Sequence, residues 1–176
     1  NKLYVAVSKL KEGYNLYGCK KRSVDKNLNL ITEDDFEHKK LILGSVLLRG
    51  FVAGCTMVFD KYLRDMVLKY NPPILSMHDT WIIKVAVSTG KVYFDENTYI
   101  SYRQHGDNVS GVKKNFWETL KIRIKNLNKR KEQSNVRLAM AKELYDNYSQ
   151  YLSNNDKENL YYFANYKKSF KYRLKL

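Results

Sequence analysis

Two stretches hold most of the side chains able to do chemistry. They are Met77-His78-Asp79-Thr80-Trp81 and Ser101-Tyr102-Arg103-Gln104-His105-Gly106-Asp107-Asn108. Asp79 is a carboxylate at the start of an apolar helical pattern. It can take a proton as a general base, or cap the helix by accepting from free backbone N–H groups. His105 falls in a polar turn directly after a strand pattern, where an imidazole either meets a cation or phosphate or hydrogen-bonds within the turn. Arg103 offers a planar fork that fits phosphate oxygens, and equally an ion pair with Asp95 or Asp107. Asn108 and Gly111 shape the turn.

The elements between these stretches must position them. Trp81, Ile82, Ile83, Val85, Ala86 and Val87 run nearly all round, so Asp79 to Thr89 reads as a buried helix closed by Gly90. Lys91–Phe94 and Thr98–Tyr102 read as two strands, joined by the polar Asp95-Glu96-Asn97. A helix followed by a strand returns the chain toward its starting edge, which permits Asp79 and His105 to line one cleft. Upstream, Leu3, Ala6, Val7 and Leu10 mark a helix over 2–12 with Gly13 as its stop. Asn15–Cys19 is a short strand pattern, and Val24 to Asn29 a turn. Thr32 followed by Asp35 predicts a helix start, with the helix running over 35–48. The stretch from Phe51 to Phe59 is apolar and β-rich, broken at Gly54, where the backbone can turn or approach a ligand closely. Lys61–Lys69 reads as a helix ended by Pro72-Pro73.

After Gly111 the texture changes. All eight glycines and both prolines precede residue 112, so the remainder is helical in character. Phe116, Leu120, Ile124 and Leu127 mark one helix. Val136, Met140, Leu144 and Tyr148 mark a second; Leu160, Phe163 and Phe170 a third, after the polar Ser153-Asn154-Asn155-Asp156. Charge divides at the same place. Residues 1–111 carry 16 basic and 12 acidic side chains, a net +4; residues 112–176 carry 16 and 6, a net +10. Lys113, Lys114, Lys121, Arg123, Lys125, Lys129, Arg130 and Lys131 cluster near Phe116 and Trp117. That suits an interfacial helix on an anionic membrane surface. Nucleic acid is the competing use of such charge, but no nucleic-acid recognition motif accompanies it. A plainer origin is a composition rich in Lys, Asn, Tyr and Ile. No apolar run approaches the ~20 residues that span a bilayer. Leu3, Val5, Ala6 and Val7 are too interrupted for a signal peptide. Cys19 and Cys55 match no metal spacing and suit a reduced, cytosolic setting, with a disulfide between them as the alternative.

Three motifs in order carry a family resemblance. Ala53-Gly54-Cys55-Thr56-Met57-Val58-Phe59, Met77-His78-Asp79-Thr80-Trp81 and Tyr102-Arg103-Gln104-His105-Gly106-Asp107-Asn108 resemble the second half of a bacterial family-2 glycosyltransferase of the rhamnosyltransferase-like kind, with the GT-A fold. The expected fold is therefore α/β. Residues 1–111 would be a partial, Rossmann-like GT-A layer lacking its N-terminal nucleotide-binding half; residues 112–176 would be a basic, all-helical extension. The resemblance places Asn1-Lys2-Leu3 just past the Asp-x-Asp-type motif that holds a divalent metal, Mg or Mn. It implies that the chain alone binds sugar nucleotide poorly.

The resemblance also implies chemistry. The enzyme would move a sugar from a nucleotide-diphosphate donor to a glycan or lipid-linked acceptor of a cell-surface polysaccharide. The setting would be cytoplasmic, peripheral on the inner membrane face. Asp79 would be the base and His105 a metal or diphosphate contact. Gly54, His78, Trp81, Arg103 and Asn108 would touch substrate. Each has a plainer role beside it: Gly54 as a strand bulge, His78 as a surface residue, Trp81 as core. A reading of another class is a non-catalytic basic module for membrane or nucleic acid.

Overall fold

The computed structural model describes residues 1–33, 41–48, 52–74, 77–104 and 127–169, the side chains of 127–130 excepted. They form an α/β arrangement of six α-helices on a small mixed four-stranded sheet.

Helix α1, Lys2–Lys11, starts on Asn1, whose side chain accepts from the Leu3 N–H. Lysines in its last turn suit the negative helix end. It stops at Gly13, whose φ of +91° is the left-handed conformation that glycine adopts without strain. Strand β1, Leu16–Val24, comes next. Its first residues are all buried, and it continues well past the predicted Cys19 through Lys20, Lys21 and Arg22. Pairing on both edges explains the length. Strand β4, Val92–Arg103, runs parallel to it from Leu16↔Val92 to Val24↔Arg103. The other edge takes β3, Val58–Phe59, at Leu16–Tyr17 and β2, Leu30–Glu33, at Arg22–Val24, both antiparallel. Backbone demand thus overrides side-chain polarity there.

Two sequence expectations are corrected in this sheet. Thr32 does not begin a helix; it lies in β2, paired with Ser23. The turn before it is closed by Asp25, whose carboxylate accepts from the Asn27 and Asn29 N–H groups, so the chain doubles back as a hairpin. Residues 34–40, the first part of the predicted 35–48 helix, lie outside the described residues; α2 covers Leu43–Leu48. The two predicted strands 91–94 and 98–102 are one, β4. Asp95-Glu96-Asn97 is a bulge within it: Cys19 pairs with Asp95 and Lys20 with Thr98. Asp95 holds the bulge. One of its oxygens accepts from the N–H and the side-chain amide of Asn97, and the other from the buried Tyr17 hydroxyl at 2.9 Å.

Side chains alternate across the sheet, as period two requires. Tyr17, Cys19 and Tyr93 pack with Ala6 under α1. Leu16, Val92 and Phe94 face the main core on the other side. That core is built from α2, from α3 (Lys61–Leu68), from α4 (His78–Thr89), and from α5 (Leu127–Tyr148) with α6 (Asn154–Asn165). Met140, Leu144 and Tyr148 all turn inward, as their four-residue spacing predicts. The Tyr148 hydroxyl donates to the Met66 carbonyl at 2.8 Å, tying α5 to α3. The described helices of the C-terminal third therefore share one hydrophobic core with the sheet. The predicted helix from Phe116 lies outside the described residues up to 126.

Gly18 sets how closely a neighbouring segment can approach the sheet. A Cβ at Gly18 would stand 2.4 Å from Cγ1 of the buried Val52, so only glycine lets Val52 sit on β1. That contact carries the segment leading to Gly54 across the sheet. Gly18→Ala should therefore cost about 1–3 kcal/mol through overpacking. Urea unfolding followed by circular dichroism would measure it, and an unchanged midpoint would refute the close approach.

Candidate functional site

The first turn of α4 and the 3₁₀ turn Gly54–Thr56 meet at one point. The Gly54 N–H donates to Asp79 Oδ2 at 3.1 Å. A Cβ at Gly54 would lie 3.0 Å from His78 Nε2 and 3.4 Å from the Asp79 Cβ. Gly54 therefore permits a close approach, and what approaches it is the His78-Asp79 pair. Lys2 Nζ donates to the Cys55 carbonyl at 3.1 Å and ties α1 to the same turn.

Helix α4 begins differently from expectation. Met77 holds the cap position, with no side-chain hydrogen bond to the helix. Asp79 sits inside the first turn, where a negative charge meets the positive helix end. Its carboxylate spans to another segment instead of capping its own helix. Asp79 Oδ1 is buried and, among the described residues, has no hydrogen-bond partner. His78 is exposed beside it. The group thus has one anchored oxygen and one buried oxygen that, among the described residues, lacks a donor.

Trp81 is core. It is 3% exposed, with Tyr148 edge-on at 5.9 Å between ring centroids and Tyr70 tilted at 6.4 Å. An acceptor sugar has no open ring face to stack on, so the substrate-contact expectation for Trp81 gives way to its packing role. Arg103 ends β4, exposed, opposite Val24. Among the described residues it makes no ion pair with Asp95, whose oxygens are occupied by Tyr17 and Asn97. His105 and Asn108 lie outside the described residues; Gly54, His78 and Asp79 come together in space. Lys113 to Arg130 are likewise not described as side chains. Cys19 is buried and Cys55 exposed, both as free thiols.

One charged side chain has no counterpart among the sequence expectations. Lys84 is 4% exposed, in the middle of α4. Its Nζ reaches back one turn to the Thr80 carbonyl at 3.1 Å. Burial pushes its pKa down to about 8, Arg137 on α5 pushes the same way, and Asp79 opposes both. The signal for it in the sequence is a lysine interrupting an otherwise apolar run from Trp81 to Val87.

A separate cleft of about 500 Å³ lies between α2 and α6, lined by Ile42, Leu43, Leu47, Leu48, Leu160 and Phe163, with Asn155, Asp156 and Asn159 also on its wall. It contains none of the residues expected to do chemistry. Among the described residues no three His, Cys, Asp or Glu side chains converge as a metal site, and no helix is long and apolar enough to cross a membrane. No protein-family model, no curated protein and no solved structure matches the chain.

Lys84 makes stability depend on pH in a definite direction. Its folded pKa of about 8 lies below its ordinary 10.5. Between those values the unfolded chain holds the proton and the folded chain does not, so raising pH favours folding. This contribution is full above 10.5 and is lost as pH falls through about 8. Lys84→Met should therefore be more stable than wild type at pH 7, by about 1–3 kcal/mol. The advantage should shrink above pH 9. Paired thermal melts at both pH values test it, and a constant gap would contradict the burial of a charged amine.

Proposed function

We propose that this chain forms the acceptor-side part of an inverting family-2-like glycosyltransferase, with Asp79 as the general base. The carrying observation is the asymmetry of the Asp79 carboxylate: Oδ2 is held by the Gly54 N–H and Oδ1 is left without a partner. A buried acceptor without a donor is costly unless a ligand or water completes it. The acceptor hydroxyl is the group that does so here. Its proton passes to the Asp79 carboxylate, its oxygen bonds to the anomeric carbon, and the bond from that carbon to the donor phosphate breaks. The nucleoside diphosphate leaves with the electron pair, and inversion results from attack on the opposite face.

Further support is the resemblance itself, since Gly54, His78 and Asp79 come from two of its three motifs and meet in space. The partial GT-A layer is the fold reading that goes with it; the mixed sheet with helices is compatible with such a layer. Donor nucleotide sugar, glycan or lipid-linked acceptor, and an anionic membrane surface for residues 112–176 belong to the same proposal. So does the divalent cation of the family. The described residues do not assemble a site for it, and His105 lies outside them, so no step above runs through a metal.

The test is Asp79→Asn in the full gene product that carries residues 1–176, assayed with UDP- and dTDP-sugars as donors and alkyl glycosides as acceptors. Turnover should fall about 10²–10⁴-fold, the usual worth of a positioned base. Circular dichroism should be unchanged. Retained turnover in a folded variant removes Asp79 from the base role.

A further inference from the structure

The cleft between α2 and α6 takes no part in the chemistry proposed for Asp79. None of its lining residues belongs to α4 or to the Gly54 turn. Its volume of about 500 Å³ falls within the usual range of small-molecule sites, about 300–1,000 Å³. Leu43, Leu47, Leu160 and Phe163 give it an apolar wall. At its edge Ile42 is 57% exposed and Leu48 53%, so hydrocarbon meets water there.

Gly44 helps to keep this cleft open. It stands on the cleft wall, within α2. Glycine in a helix is unfavourable relative to alanine unless backbone or packing demands it. Neither demand is present at Gly44. Its φ is not positive. A Cβ there would meet nothing within 4 Å, whereas Gly18, Gly54 and Gly90 each have a protein atom inside that distance. The space that a side chain at Gly44 would take is open.

Charge differs on the two sides of the groove. Asp156 is on the cleft wall with Asn155 and Asn159. A smaller hollow of about 200 Å³ shares Leu48 and Phe163 with the cleft and adds Arg137 on α5. Among the described residues Arg137 has no ion-pair partner. Ser134, on the same wall, is bonded to the Tyr166 hydroxyl. A ligand lying along the groove therefore meets an acid on one side, hydrocarbon in the middle and a guanidinium on the other.

We propose that this groove binds a single-chain anionic amphiphile, with its hydrocarbon chain against Gly44 and its carboxylate or phosphate head at Arg137. The chain suits walls that offer apolar area, since each buried methylene is favourable and needs no hydrogen bond. Either head fits the guanidinium fork. A cationic head would be opposed by Arg137, and an anionic head on the Asp156 side would be opposed by that carboxylate. The site stands whether or not Asp79 is the base.

The test is calorimetric titration of the chain with decyl phosphate, decanoate, decanol and decylammonium, each below its micelle concentration. At least one anion should bind, and the tighter of the two names the head group. Decanol and decylammonium should bind more weakly. Absence of binding by both anions, or equal binding by decanol or decylammonium, overturns the proposal. Arg137→Gln should bring the anion and decanol close to equal affinity; an undiminished preference refutes the head-group placement. The chain is strongly basic, so binding elsewhere on its surface must be told apart from binding in the groove. Gly44→Leu does so, because it fills the cleft and alters no charge. Affinity should fall about tenfold or more, the effect of displacing two methylenes, with no loss of melting temperature. Unchanged affinity in the folded variant places the anion elsewhere and overturns the site. A second measurement needs no variant. In wild type the methyl resonances of Leu43, Leu47 and Leu160 should shift on titration and those of Val7 on α1 should not. The reverse pattern, or no shift at the three leucines, overturns the site.

Discussion

The parallel pairing of β1 with β4 is the constraint on which the remaining structure depends. Two parallel strands cannot be joined by a tight turn; the chain must cross over and come back from the starting end. Here the crossover is everything between Val24 and Val92. It contains the Gly54 turn, α3 and α4, and α4 is its final leg. Because α4 runs back toward the start of β4, its C-terminus is pinned there. Asn15 performs the pinning: its side chain accepts from the Lys91 N–H and donates to Asp60, the N-cap of α3. With that end fixed, the first turn of α4 projects back over the sheet. Val52 reaches the same region by lying on Gly18. The meeting of Gly54 with Asp79 is thus a consequence of strand order more than of local sequence.

Once the two segments meet, electrostatics fixes the details. A carboxylate in the first turn of a helix is already favoured by the dipole, and a backbone N–H from a second segment adds a charge-assisted hydrogen bond. Neither satisfies both oxygens. The result is a carboxylate that is oriented but not saturated. A proton acceptor needs that condition, since a carboxylate with every lone pair filled must break a hydrogen bond before it can take a proton.

The sequence made much of the helical framework legible, because helices announce themselves locally. Asn1 before α1, Gly13 after it, Asp60 before α3 and Ser153 before α6 cap or stop the helices as such residues should. The sheet was less legible. Lys20, Lys21 and Arg22 look like the end of a strand, yet β1 continues because β4 and β2 supply hydrogen bonds that no local pattern reveals. Asp95-Glu96-Asn97 looks like a turn between strands, yet Tyr17 from a distant strand holds Asp95 inside a bulge. The site divided in the same way. Asp79 was visible from its motif, but its anchor on Gly54 is tertiary. Trp81 had two readings, and the aromatic partners that decide between them come from α5 and from beyond α3.

Two buried or half-buried carboxylates in this fold show why that distinction carries weight. Asp95 is 5% exposed, and both its oxygens are occupied, one by the Tyr17 hydroxyl and the other by Asn97. Tyr17 in turn is held protonated by burial and by that carboxylate. Every donor meets an acceptor, and the arrangement does nothing but fix the bulge of β4. Asp79 shares the helix with a lysine that burial destabilises and keeps one oxygen without a donor. Selection for stability alone would tend to finish such a network or replace it with apolar side chains of similar volume. The unfinished carboxylate, unlike that of Asp95, leaves room in the hydrogen-bond balance for a further donor, and the acceptor hydroxyl proposed above is one that would complete it.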